Sequence, residues 1–137
     1  MKKLLITLII CTSTIALKAQ FGVSYHQTAH PFVGFNYEFV DRFMPELRFG
    51  MDNHIDHMSV EAVATFQFID KEEVEVYAGL GGRANNRPGL VAPIGIHAFP
   101  FTKKNFGFHI EVCPIISEHR DTPHIRGSWG IRYRFKQ

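Results

Sequence analysis

Polar and apolar residues alternate through most of the chain. At the C-terminal end Trp129, Ile131, Tyr133 and Phe135 share one face, and Ser128, Gly130, Arg132 and Arg134 share the other. Successive side chains of a β-strand point to opposite sides, so this two-residue period predicts a strand with two unlike environments. The same pattern recurs upstream. Val33, Phe35, Tyr37 and Phe39 oppose Gly34, Asn36 and Glu38, and Leu47, Phe49 and Met51 oppose Glu46, Arg48 and Gly50. From Ser59 to Ile69, Val60, Ala62, Ala64, Phe66 and Phe68 oppose Ser59, Glu61, Val63, Thr65 and Gln67. Between Val74 and Arg83 the apolar face is Val74, Val76, Ala78 and Leu80, against Glu75, Tyr77, Gly79 and Gly81. Beyond Asn105, Phe106, Phe108, Ile110 and Val112 stand opposite Gly107, His109, Glu111 and Cys113.

A short first strand near Phe21 to Gln27 and a seventh element near Leu90 to Phe99 bring the total to about eight. No stretch sustains a helical period. The connections fall into two alternating sets. Tight turns lie around Asp41, at Asp70 to Glu73 and at Thr102 to Asn105; loops rich in Pro, Asn and His lie at Thr28 to Pro31, Asp52 to His57, Ala84 to Gly89 and Ser117 to His124. An even strand count with one short-turn end and one long-loop end predicts an all-β, up-and-down antiparallel barrel. Pro93 and Pro114 fall inside two of the strands, where each removes a ladder hydrogen bond. Bulges or shortened strands near the outer rim are expected there. Phe99 falls on the inward parity, at odds with the rest of the apolar face.

The barrel's polarity follows from the residues opposite the apolar faces. Glu38, Arg48, Glu61, Glu75, Glu111, Arg132 and Arg134 fall on one common side. Either that side is wet and the aromatics form a core, or it is a closed lumen in which glutamates pair with arginines and the apolar side meets lipid. Two features favour lipid. The apolar faces are rich in small and aromatic residues. Phe39, Phe43, Phe66, Phe68, Phe106, Phe108, Tyr133 and Phe135 all gather beside the short turns, as in an interfacial aromatic girdle. In this reading Trp129, Ile131, Tyr133 and Phe135 face lipid, while Arg132 and Arg134 meet lumen carboxylates through their planar forks.

With that alternation and girdle, the chain resembles the small eight-stranded outer-membrane barrels of the OmpA/OmpX type from Gram-negative bacteria. The resemblance spans residues 20–137 and rests on pattern. It implies a transmembrane β-barrel with periplasmic termini and no cofactor, in contact with outer-membrane lipid. It further implies that Trp129, Ile131, Tyr133 and Phe135 form the terminal-strand signal read by the barrel-assembly machinery. The family usually ends on the aromatic itself, whereas Lys136 and Gln137 follow Phe135 here.

The first residues fit this location. Lys2 and Lys3 precede an apolar run from Leu4 to Ile10, and small residues at Ala16 and Ala19 complete the layout of a secretory signal peptide. Residues 1–19 are expected to be cleaved, leaving a domain of residues 20–137. Charge then changes meaning. The full chain carries 15 Lys+Arg and 13 Asp+Glu, but Lys2, Lys3 and Lys18 depart with the leader, leaving 12 against 13. The basic balance therefore belongs to the leader, and the remaining bases are scattered, so nucleic acid is not a partner. Cys11 also lies in the leader, following Ile10 where a lipoprotein box wants a small residue. Cys113 alone remains, so no internal disulfide forms.

Of the eight histidines, six are expected at the long-loop end: His26, His30, His54, His57, His119 and His124. Among them His54, His57, His119 and His124, with Asp52, Asp56 and Asp121, offer donors suited to zinc or copper. No ligand spacing fixes such a site, and solvated rim residues account for the pattern. His57, Ser59 and Glu61 suggest a nucleophilic triad like that of lipid A deacylases, which are also eight-stranded outer-membrane barrels. Residues two apart on one strand are separated by roughly 7 Å, beyond direct hydrogen bonding. Glu72 and Glu73, at a sequence offset resembling that family's acid, fall at the opposite end of the barrel. Gly79, Gly81 and Gly82 lack the helix and Lys-Ser/Thr of a phosphate loop and relieve crowding in the lumen instead. The expected function is a structural or surface-interaction role without catalysis, with an extracellular ligand or protein at the loops. The alternatives are a secreted or periplasmic soluble barrel holding a small apolar ligand, and a lipid A-modifying enzyme.

Overall fold

The computed structural model describes Ile6 and residues 20–39, 42–50, 58–85, 88–118 and 121–135. The leader, apart from Ile6, lies outside these residues. Alternation in sequence becomes alternation in space. Strands β1 (Gln20–Gln27), β2 (Phe32–Glu38), β3 (Phe43–Gly50), β4 (Ser59–Asp70), β5 (Val74–Ala84), β6 (Gly89–Val91), β7 (Ile94–Ala98), β8 (Phe106–Ser117) and β9 (His124–Phe135) form one antiparallel sheet. β4 pairs with β5 at one side, and β9 pairs with β1 at the other, which closes the sheet into a barrel. β6 and β7 occupy the same place between β5 and β8, so the nine segments make eight staves.

The expected single seventh strand is thus interrupted, at Ala92 and Pro93, and the reason is the pair of prolines. Pro93 has no N–H to give, yet its carbonyl accepts from Gly79 N at 2.9 Å. Pro114 lies in the neighbouring stave and accepts from Ala92 N at 3.1 Å. The two missing donors face different gaps, Pro93 toward β5 and Pro114 toward the β6/β7 stave, and the carbonyl of each proline accepts a bond there that keeps the wall joined. A second irregularity falls at Phe68, where the β4–β5 register shifts between Gln67 and Ile69 and leaves Phe68 as the extra residue of a bulge.

The barrel is inverted relative to a water-soluble protein. Outward residues such as Leu80, Ile110 and Trp129 are 68%, 67% and 63% exposed, whereas Arg48, Glu111 and Arg132 are 1–2% exposed. The outer surface is a belt of Phe, Tyr, Leu and Ile. At its short-turn end aromatic rings touch in series: Phe21 with Phe35 and Phe135, Tyr133 with Phe135, and Phe101 with Phe106 and Phe108. Inside, Val63, Val91, Cys113 and Ile115 form a small apolar cluster within a largely polar interior. Phe99, the residue of discordant parity, also points inward and is fully buried beneath the Arg134 guanidinium, 4.1 Å from ring centre.

Close packing of the interior demands a glycine at position 95. A Cβ there would approach Cζ of Tyr77 at 2.5 Å and the Ile110 carbonyl at 2.7 Å. Gly95→Val should therefore lower the urea midpoint of unfolding, with a cost of about 1–3 kcal/mol from overpacking. An unchanged midpoint would show that Tyr77 does not fill the lumen at this level.

Candidate functional site

The lumen is organised around carboxylates at three levels. Nearest the long-loop end, Glu61 on β4 accepts both Nη groups of Arg126 on β9, at 2.5 and 3.0 Å, with Arg83 Nη1 at 3.7 Å and Arg48 Nη1 at 3.9 Å. Arg126 also lies over the Phe32 ring, 4.5 Å from its centre. In the middle, Arg48 on β3 donates Nη1 and Nη2 to the two oxygens of Glu111 on β8, both at 2.7 Å, and Nε to Glu46 at 2.6 Å. Tyr77 donates its hydroxyl to the same Glu111 at 2.6 Å. At the short-turn end, Glu75 accepts from Arg134, from Gln67 Nε2 at 3.1 Å and from His97 Nδ1 at 3.2 Å.

These pairs bridge the barrel as spokes. In the ring order β4, β3, β2, β1, β9, β8, β6/β7, β5, β3 stands opposite β8, and β4 stands opposite β9. The Arg48–Glu111 and Arg126–Glu61 pairs therefore span the full width of the lumen. Bidentate geometry suits the task, because two parallel charge-assisted bonds fix both distance and orientation across it.

Three histidines knit the levels together. His26 Nε2 lies 3.0 Å from Ser24 Oγ and 3.4 Å from Glu46, while its Nδ1 is 3.0 Å from His109 Nε2. Because a carboxylate only accepts, the consistent arrangement has His109 Nε2–H donating to His26 Nδ1 and His26 Nε2–H directed at Glu46 and Ser24. Arg132 can only donate, so His97 Nε2, 2.7 Å from Arg132 Nη1, must be the accepting nitrogen. His97 then carries its proton on Nδ1 and donates that N–H to Glu75. The expectation that Arg132 meets a carboxylate is corrected here: its partners are the His97 ring and the Met44 sulfur. A bulky imidazole from β7 occupies the space between Arg132 and Glu75.

The alternation placed Glu61, Glu75, Glu111, Arg48 and Arg134 on the side that the structure turns inward, and Glu38 is half-buried at the end of β2. His26, expected at the long-loop end, stands one residue before the end of β1 and turns into the lumen against His109 and Phe32. Arg126, His97 and His109 enter the network although sequence reasoning assigned them no part in it, and Tyr77, which alternation set on the same face as Glu75, joins them. Their signal was parity alone, since Arg126 falls in step with Arg132 and Arg134. Of the metal candidates, His124 is exposed at the start of β9, while His54, His57 and His119 lie outside the described residues. Among the described residues no group of three His, Cys, Asp or Glu side chains is arranged to hold a metal. Ser59 and Glu61 both face the lumen, but Glu61 is committed to Arg126, which leaves it poorly placed as a base. Trp129, Ile131, Tyr133 and Phe135 all face outward.

Arg48, Arg132, Tyr77, Phe99, Met44 and Gln67 are each almost completely buried, so side chains occupy the section of the barrel. What the arrangement offers chemically is mutual neutralisation across a rigid shell. No protein-family model and no curated protein sequence matches the chain. Among solved structures it is similar to a barrel from the de novo design of transmembrane β-barrels, with a TM-score of 0.60 at 14% identity over 85% of this chain and 94% of the other. It is also similar to the N-terminal β-barrel domain of Pseudomonas aeruginosa OprF, with a TM-score of 0.56 at 14% identity over 85% and 96%. The fold is that of the small eight-stranded outer-membrane barrels of the OmpA/OmpX type.

Arg48 is the hub of the network. Arg48→Met should leave Glu46 and Glu111 without their cation and destabilise the barrel by about 3–5 kcal/mol in urea unfolding followed by gel mobility. Adding Glu111→Gln to that variant should recover part of the loss, because it removes one stranded charge. Equal stability of parent and Arg48→Met would refute the pairing.

Proposed function

We propose that this chain is a small outer-membrane barrel protein, exported behind a cleaved leader of residues 1–19, with a structural or surface-interaction role and no catalysis. The observation that carries the reading is the inversion: charged side chains are buried and the large apolar ones face out. In water such a surface would expose contiguous apolar area far beyond what a soluble monomer carries, whereas in a bilayer it is the matching solvent. The closed strand pairing also satisfies every stave's neighbours along the membrane-spanning section, as lipid requires. A soluble barrel for an apolar ligand would need an apolar interior, and this lumen holds arginines and glutamates instead.

In this reading the partners are lipid along the belt and the assembly machinery during biogenesis, which would read Trp129, Ile131, Tyr133 and Phe135. An extracellular ligand or protein would meet the long-loop rim. A filled lumen argues for a wall-like or presenting role over a conducting one.

Fractionation of producing cells, followed by denaturing electrophoresis with and without boiling, tests this directly. The expected result is recovery in the outer-membrane fraction, with a mobility change on boiling as the closed sheet opens. Recovery in the soluble periplasm with heat-independent mobility would overturn it.

A further inference from the structure

The short turns differ in charge. Asp70, Lys71, Glu72 and Glu73 join β4 to β5 with three acids and one base, whereas Thr102, Lys103, Lys104 and Asn105 lead into β8 with two bases and no acid. The basic turn is anchored on both sides. Lys104 donates Nζ to the Phe99 carbonyl at 2.8 Å. Asn105 ties the turn to β9, donating Nδ2 to the Arg134 carbonyl at 3.1 Å and accepting from Arg134 N at 2.7 Å. Lys104 is thus spent on the turn itself, while Lys103 is exposed and has no hydrogen-bond or ion-pair partner among the described residues.

Beside this turn lies a recess of about 710 Å³ lined by Phe101, Lys103, Asn105, Phe106 and Tyr133. Phe106 and Tyr133 are register partners on β8 and β9, so the recess lies on the outer wall at the end of that pair. Phe101 folds back from the turn onto the same wall, with its ring centre 5.8 Å from that of Phe106 and 6.1 Å from that of Phe108. The acidic turn meets the basic one on the opposite side, where Phe99 N donates to the Glu73 carbonyl at 2.8 Å.

The recess therefore has two unlike halves: phenylalanine rings on the belt side, and an ammonium with the Tyr133 ring and the Asn105 amide on the turn side. A bare anion would use only the second half, and a hydrocarbon only the first. An amphiphile that joins an anion to an apolar chain uses both. Aromatic rings at the edge of a membrane belt sit at headgroup level, and a lysine there lays its stem along apolar surface and carries its charge into the polar layer. None of the five lining side chains is acidic, so the recess offers no carboxylate to the ammonium of a zwitterionic headgroup, which favours a headgroup of net negative charge.

We propose that this recess is a binding site for an anionic phospholipid of the leaflet at the short-turn end, with the headgroup phosphate at the Lys103 ammonium and an acyl chain against Phe101, Phe106 and Phe108. The inference rests on the outer-membrane reading above and goes beyond it by naming the lipid class and the place. Anchoring of the turn through Lys104 and Asn105 holds Lys103 at one position on the rim, so the charge is presented to a single lipid and not spread along the belt.

Amide chemical shifts of the folded barrel in micelles of dodecyl maltoside, whose headgroups are uncharged, test this, with heat-dependent gel mobility confirming the fold of every variant. The probe is dihexanoyl phosphatidylglycerol, compared with dihexanoyl phosphatidylcholine and with inorganic phosphate. Phosphatidylglycerol should shift the Lys103, Phe106 and Tyr133 amides saturably and leave those of Lys71 and Glu72 unmoved. It should bind at least about fivefold more tightly than phosphatidylcholine, the scale of one lysine at a charged membrane surface. Inorganic phosphate should give no saturable shift over the same concentrations. Lys103→Glu should remove the preference and Lys103→Arg should keep it, while Lys71→Gln on the acidic turn leaves it unchanged. Equal affinity for the two lipids, an equal response to inorganic phosphate, shifts spread evenly over the short turns, or an unaltered preference in Lys103→Glu would each overturn the site. Those results leave the barrel reading standing. Loss of the heat shift in the parent protein would instead overturn that reading and this inference with it.

Discussion

A charge sealed inside a narrow barrel has no water to fall back on, and the rest of this structure is arranged around that constraint. Glu46, Glu61, Glu75 and Glu111 are buried together with Arg48, Arg132 and Arg134, and Arg126 is half-buried beside them. Neutralisation works only if residues far apart in the chain arrive at the same level from opposite walls. Arg48 and Glu111 are separated by 63 residues and meet in a two-point clasp. Ring closure, stave register and lumen chemistry are therefore one problem. A one-residue slip of β8 against β9 would turn Glu111 to the apolar outer face and leave Arg48 without its two-point partner.

The wall can accept defects where the interior does not depend on its regularity. The break at Ala92 and Pro93 sits beside the apolar cluster of Val63, Val91, Cys113 and Ile115, not beside a carboxylate. There the interior needs only shape. Below the break, β7 resumes its ladder in time to deliver His97 between Arg132 and Glu75. A third irregularity, the end of β1–β9 pairing at Gln27↔Trp129 while β8–β9 pairing runs on to Ile115↔His124, lies toward the long-loop end.

Much of the fold was legible because a strand with unlike solvents on its two faces writes a period of two into the sequence. Glu61, Arg134 and Trp129 could each be assigned a side from parity alone. Levels along the barrel axis were less legible, because they depend on stave register and on how far each hairpin rises. Hence His26 was expected at the long-loop end with the metal candidates, although it belongs to a short stave and sits deep beside His109. Arg132 was expected on a carboxylate for the same reason: parity gives the side, and only register shows that His97 comes between. The split seventh stave was foreshadowed by Pro93, but the placement of Pro114 in the adjoining stave, where its carbonyl takes Ala92 N, is a neighbour relation that no single segment encodes.

The central claim is that lipid is the solvent of one face and protein of the other. The most direct measurement is labelling of the membrane-embedded protein with a bilayer-confined photoreactive reagent, read residue by residue along β8. The account predicts labelling at Phe108, Ile110 and Val112, with His109, Glu111 and Cys113 spared. Uniform labelling, or labelling of the second set in place of the first, would contradict it.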